Sequence, residues 1–491
     1  MRVVVIGAGL GGLAVARRLR HDGHDVTVVE RQEAPGGRAY RLRDAGYTWD
    51  TGPSLVTMPW VLEEAFAAGG LDLRSEVTMR RLDPMYRIRW AGDERHFDFA
   101  DDVGRLEAEV ARFSPRDARR VRPFLDGLEP VYRSVILDAG RRPFLRAGDF
   151  ARLVPRMARL GVLPPLHAYV ARAFRHPRVR EAFSFHSLFI GGDPFRVPAL
   201  YAALVYLQVA DGGWYVDGGV YALVEALARD LDLRCGEPVE AIEWSGERAT
   251  GVRLAGGGRI AADVVISNAD VLRTPALLGR PAPRRRLRPT MSCFLVYMGT
   301  RRRWPGLLHH TLLVGPGYRS FIRDVTRRGV VPRTFSTYVH APSRTEAAMA
   351  APGGDSLAVL LPTPNLRGGT DWTAAADEVR DALVADMERS YGLHGLAADV
   401  VVEHRMTPLD FERRLGAEWG NAFSIEPTLG QSAYFRVPNR DRRIRNLYFV
   451  GGGTHPGAGI PGVLLGAAIT GDLVAADAAA APRRRVPAGA R

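Results

Sequence analysis

Lysine is missing from this chain: all 67 of its lysine-plus-arginine residues are arginine. Schiff-base chemistry on a lysine amine is therefore excluded. Cysteine is nearly absent, with Cys235 and Cys293 alone. Two cysteines make no disulfide framework and point to a reducing compartment. No uninterrupted apolar run approaches the roughly 20 residues of a spanning helix, which predicts a soluble or surface-bound protein. The first apolar run carries glycines instead of a cleavage site, so it reads as a strand and not as a signal peptide. Cytoplasmic residence is the expectation. There is no metal-ligand spacing of Cys and His, no GxSxG and no CxxC.

What is present begins with "RVVVIGAGLGGLAVARRL". A β-branched strand runs into Gly7, Gly9 and Gly12 and then into a helix with Leu10, Leu13, Ala14 and Leu19 on its inner face. Gly7 suits a tight turn, Gly9 lets backbone N–H groups approach a pyrophosphate, and Gly12 lets helix and strand pack closely. A second strand, "DVTVVE", ends at Glu30, 23 residues after Gly7. That carboxylate is placed to accept hydrogen bonds from a ribose. Six residues later comes "GGR" (Gly36, Gly37, Arg38), and then "YTWDTGP" with Gly52 and Pro53, each clearing backbone for close approach.

A third bare segment, "THPGAGIPG", lies between the strand "NLYFV" and an apolar helix near the C-terminus. Glycine here permits close approach, and proline is tolerated only in a helix's first turn. Glycine overall is 53 of 491 residues, about 11% against an ordinary share of roughly 7%. The excess gathers in these three loops.

Net charge is +13. Residues 141–180 hold ten arginines against one acid, Asp149. The apolar residues among them are not the aromatic and basic alternation of a single-strand binder, so nucleic acid is not expected. Leu153, Met157 and Leu160 share one helical face, and Arg152, Arg156 and Arg159 an adjacent one. An in-plane membrane helix and a packed helix with a solvated basic face both fit. Elsewhere "YRIRWAGDERHFDF" reads as a hairpin. The stretch from Ser114 to about residue 210 reads as helical, and 286–430 as long alternating strands with one helix, "TAAADEVRDALVADMERSYG".

The motifs "GGR", "WDTGP", "EAFSFHSLFIGGDPF", "SNADV", "DWT", "QSAYFR" and "NLYFVGGGTHPGAGIPGV" together resemble the bacterial phytoene desaturases of the flavin amine-oxidase-like superfamily, over nearly the whole chain. The resemblance implies an α/β fold: a Rossmann-like FAD-binding domain of the two-dinucleotide-binding type, a mixed β-sheet substrate domain and a helical membrane-facing subdomain. The implied parts are 1–80, 215–285 and 431–480 for FAD, 81–100 and 286–430 for substrate, 101–214 for the helices, and a disordered tail at 481–491. Val239, Gly452, Gly453, Gly459, Pro461, Gly462 and Val463 join the fingerprint residues as implied cofactor contacts. Asp149 and Arg152 are the implied acid–base pair near the flavin.

The implied reaction is FAD-dependent desaturation of a phytoene-like isoprenoid to a more unsaturated carotene, with lycopene the expected product. A hydride passes to the flavin, the neighbouring carbon loses a proton, and oxygen or a quinone takes the electrons. A membrane surface is the implied partner. Phe183, Phe185, Phe189, Tyr201, Tyr206, Trp214 and Tyr215 are candidates for an apolar tunnel, though any one of them reads more readily as core. His186 is read either way. A related carotene desaturase or isomerase, a flavin amine oxidase and a non-enzymatic prenyl-protein escort of the same fold stay open.

Overall fold

The computed structural model describes residues 1–281 and 287–480. The tail at 481–491, read above as disordered, and the boundary at 285/286 lie outside the described residues. Five strands form a parallel sheet in the order Leu447–Phe449, Val264–Ser267, Arg2–Ile6, Asp25–Val29, Asp232–Arg234. A parallel sheet is covered on both faces, which is why "VVVI" is apolar without alternation. Val3 and Val5 pack in one core with Leu13 and Leu464, while Val4 and Ile6 pack in another with Ile242 and Val252. The second core is roofed by an antiparallel meander, Val239–Ser245, Arg248–Leu254 and Arg259–Ala261.

Helix Leu10–His21 lies beside the final helix, Ile460–Ala480. By length and composition Ile460–Ala480 could cross a membrane. Two acids interrupt it: Asp472 pairs with Arg18 at 2.6 Å and Asp477 with Arg440 at 2.7 Å. Its buried face, with Leu464, Leu465 and Ile469, belongs to the protein interior.

The second sheet is seven-stranded and mixed, in the order Val400–Met406, Ser292–Thr300, Asp355–Thr363, Thr337–His340, His310–Val314, Tyr86–Trp90, His96–Phe99. The hairpin read at 86–99 is present. It joins the sheet by parallel pairing of Tyr86–Trp90 with His310–Val314. A layer of helices drawn from residues 103–211 reaches the edge strand His96–Phe99 and the final helix, its early helices opened by Asp102 and by Ser114 with Pro115 behind it. Helix Ala147–Arg159 forms the outer wall of this layer, with only Met157 fully buried.

Candidate active site

A single cavity of about 700 Å³ runs from the end of the parallel sheet to the face of the mixed sheet. Gly7, Gly9, Glu30, Gly36, Gly37, Arg38, Gly52, Pro53, Val239, Gly452, Gly453, Gly459, Pro461, Gly462 and Val463 all line it. Gly12 does not, and the reason is steric: a Cβ there would sit 2.2 Å from the Gly7 carbonyl oxygen. Its bareness is needed for helix–strand packing. Glu30 is buried, and its carboxylate accepts N–H bonds from Ala8 at 2.7 Å and Gln32 at 2.9 Å. The acid thus fastens the glycine turn, with lone pairs left over for a ribose.

Gly52 was expected to be bare beside a ligand. Its Cβ would meet the Arg38 carbonyl oxygen at 2.1 Å, so the contact that demands glycine is with the GGR loop itself. Arg38 donates to Asn421 O and Oδ1 at 3.2 and 3.1 Å and lies 3.8 Å from buried Asp270. Burial lowers the Arg38 pKa, and Asp270 opposes the shift. Asn268 donates to Gly7 O at 3.2 Å and crowds Gly9, Gly12 and Gly451. Asn268, Asp270 and Asn421 were not singled out in the sequence. The first two sit in the quoted "SNADV", a motif visible without its role.

The C-terminal loop closes the other side. A Cβ on Gly453 would strike Val271 at 2.4 Å and Ser424 Oγ at 2.5 Å, and one on Gly462 the Gly457 carbonyl at 2.7 Å. Gly452 is different. A Cβ there would find only Ala458, at an ordinary 3.6 Å, and its φ is not positive. Among the described residues no contact asks for glycine at 452, and the residue faces the cavity. Buried Arg436 donates to the carbonyls of Gly452, Thr454 and Gln431. His455 Nε2 donates to Ala139 O at 2.9 Å, and burial pushes its pKa down to about 4. It is neutral at physiological pH.

Beyond the glycines the wall turns apolar. Phe185, Phe189, Tyr201, Leu312, Val314, Tyr318 and Phe321 line it. Four of the proposed tunnel aromatics do not. Phe183 packs among Phe97, Phe99, Phe124 and Phe174, and Tyr206 lies tilted against Tyr132. Trp214 donates to Asp211 O and Tyr215 to Glu346. His186 is a core histidine: its Nε2 meets Tyr86 Oη at 2.8 Å, Tyr86 donates onward to Gln208, and burial lowers its pKa to about 3. Tyr338, on the cavity wall, hydrogen-bonds Ser54 Oγ at 2.7 Å and His310 Nδ1 at 2.6 Å.

Asp149 and Arg152 require a correction. Neither reaches the cavity, although Leu153 and Met157 of the same helix do. Asp149 is drawn back to cap the helix, accepting from Arg146 N at 3.2 Å, and the Arg152 side chain is 85% exposed. Three residues of separation kept the two side chains together, 3.6 Å apart, but on the outer side of the wall.

A family model described as flavin containing amine oxidoreductase matches residues 10–478. The lycopene-forming phytoene desaturase of Paracoccus sp. is 38% identical, covering 97% of this chain and 98% of its own. That of Pantoea ananas is 39% identical, covering 96% and 99%. The zeta-carotene-forming phytoene desaturase of Myxococcus xanthus is 37% identical over 95% and 92%. Among solved structures, putrescine oxidase with bound putrescine superposes with a TM-score of 0.66 at 16% identity, covering 98% of this chain and all of that one. That last likeness is one of fold.

Proposed function

The chain belongs to the phytoene desaturases of the flavin-containing amine oxidoreductase family, and from that premise we propose that it converts phytoene to lycopene by successive two-hydrogen removals at a membrane surface. It is an FAD-dependent oxidoreductase of the phytoene desaturase type. The observation that carries the finer reading is the continuity of the cavity, whose glycine-bare half opens directly onto a wall of Phe185, Phe189, Leu312 and Val314.

The residues present fit FAD. Gly7 and Gly9 with Glu30 would hold the adenosine half, Gly36 to Arg38 the middle, and Gly452 with Gly459 to Val463 the ring, all of them on the cavity wall. The flavin, when bound, supplies a two-electron acceptor. The protein's own task is placement. An all-carbon substrate offers no polar handle, so binding rests on apolar area at about 25 cal/mol per Å². Register along the wall then selects the bond. Leu153 and Met157 shut out water along one side. We place the protein in the cytoplasm against a membrane, with oxygen or a quinone as the final acceptor.

The test is pigment analysis. Purified protein with FAD and phytoene in lipid vesicles should yield lycopene, with partly desaturated carotenes at short times. A terminal product of neurosporene or zeta-carotene would correct the product, and colourless, unchanged phytoene would overturn the substrate.

A further inference from the structure

Arg436 is 3% exposed, and it lines the cavity. All three of its nitrogens donate to backbone carbonyls: Nε to Thr454 at 2.8 Å, Nη1 to Gln431 at 3.3 Å, and Nη2 to Gly452. These carbonyls engage three of its five N–H donors and do not neutralise its charge. Among the described residues no carboxylate lies within ion-pairing distance of it, whereas Arg38, also on the cavity wall, has Asp270 at 3.8 Å. Burial draws its pKa down to about 10, so it stays charged at neutral pH. Neighbouring His455 and Tyr201 are both held neutral by burial. Helix Ile460–Ala480 begins at the same end of the cavity and adds partial positive charge. Buried charge of one sign is costly unless something pairs it. Among the described residues nothing does.

We propose that Arg436 is the charge partner of the flavin ring, a positioning residue that favours the reduced, anionic cofactor and so raises its potential. Desaturation moves a hydride, two electrons and one proton, from a substrate carbon to neutral flavin, and the neighbouring carbon gives its proton to water. A C=C bond forms, and one negative charge stays on the ring. The same guanidinium ties down the carbonyl of Gly452, against which the ring is placed. The inference rests on that placement.

Sulfite, which adds to oxidised flavin to give an anionic adduct, reads this charge without turnover. In Arg436→Gln holoprotein, sulfite should bind at least about tenfold more weakly. The same tenfold change in the two-electron reduction equilibrium would lower the potential by about 30 mV. Arg436→Lys should stay within about threefold of native in sulfite affinity, because it keeps the charge while losing the fork of hydrogen bonds. Native affinity and potential in Arg436→Gln, or an equal loss in Arg436→Lys, would overturn the proposal. Should Arg436→Gln retain no flavin, the native holoprotein decides: reduced anaerobically at mildly acid pH it should show the anionic reduced spectrum, and a neutral one refutes the pairing. Failure of the ring placement is distinguishable, because Gly452→Val would then leave FAD content unchanged.

Discussion

Gly452 and Gly453 are neighbours kept bare for different reasons, and substitution separates them. Gly453→Ala forces a methyl to within 2.4 Å of Val271 and 2.5 Å of Ser424. Such overpacking costs about 1–3 kcal/mol, so the apoprotein should melt several degrees lower. Gly452→Val meets no protein atom closer than ordinary contact at its Cβ. Its apoprotein should melt near the native temperature yet fail to hold FAD. Calorimetry and flavin absorbance on the two variants check this, and the reverse pattern would place the ring elsewhere. Asp149 argues the other way. Its carboxylate closes the first turn of helix Ala147–Arg159 and stays outside the cavity. Asp149→Ala should therefore keep its flavin and most of its turnover, losing about 0.5 kcal/mol of helix stability. A collapse of turnover with FAD bound would return the proton transfer to this residue.

Strand Tyr47–Asp50 delivers an acid to the start of another helix. Asp50 is buried, and its Oδ1 accepts from Val220 N at 2.9 Å, just ahead of helix Tyr221–Ala228. Its Oδ2 has no partner among the described residues, and burial pushes its pKa up to about 7. The unfolded chain releases this proton near pH 4, while the native protein keeps it to about pH 7. Stability should thus fall as pH rises through that window and level off above it. Asp50→Asn keeps the acceptor without the charge. Its melting temperature at about pH 8 should exceed that of the native protein, with little difference at about pH 4. Parallel pH profiles for the two proteins would refute the assignment.

Sequence reading succeeds for such elements where the determinants are local. The strand before Gly7, the Ser114 cap and the 86–99 hairpin are each settled within a short local stretch of chain. It fails where a tertiary neighbour decides. Phe185 lines the cavity and Phe183 does not, though both sit in one motif: Phe185 packs on Tyr86 and Phe189, while Phe183 is enclosed by Phe97, Phe124 and Phe174. Asp270 and Asn421 meet at 2.9 Å from positions 151 residues apart.

At the scale of the molecule, the basic excess and the apolar surface fall together. Helix Ala147–Arg159 turns Leu153 and Met157 to the cavity, and arginines with exposed Val154 outward. Phe150 on this helix meets exposed Phe435 edge to face at 5.0 Å, and exposed Leu429 lies in the adjoining turn. Arg152, Arg156 and Arg159 rise from the same surface. One thin wall therefore separates the cavity from a basic, partly apolar face, the shape required if a water-insoluble substrate enters from a bilayer. Each arginine near an anionic surface contributes about 1 kcal/mol, screened beyond roughly 8 Å at physiological salt. In a flotation assay the protein should rise with anionic vesicles at low salt and progressively less as salt increases. Replacing Val154 and Phe435 together by Asp should weaken flotation at every salt concentration while leaving flavin content native, since neither side chain lines the cavity. Equal flotation of native and doubly substituted protein would move the membrane-facing surface elsewhere on the molecule.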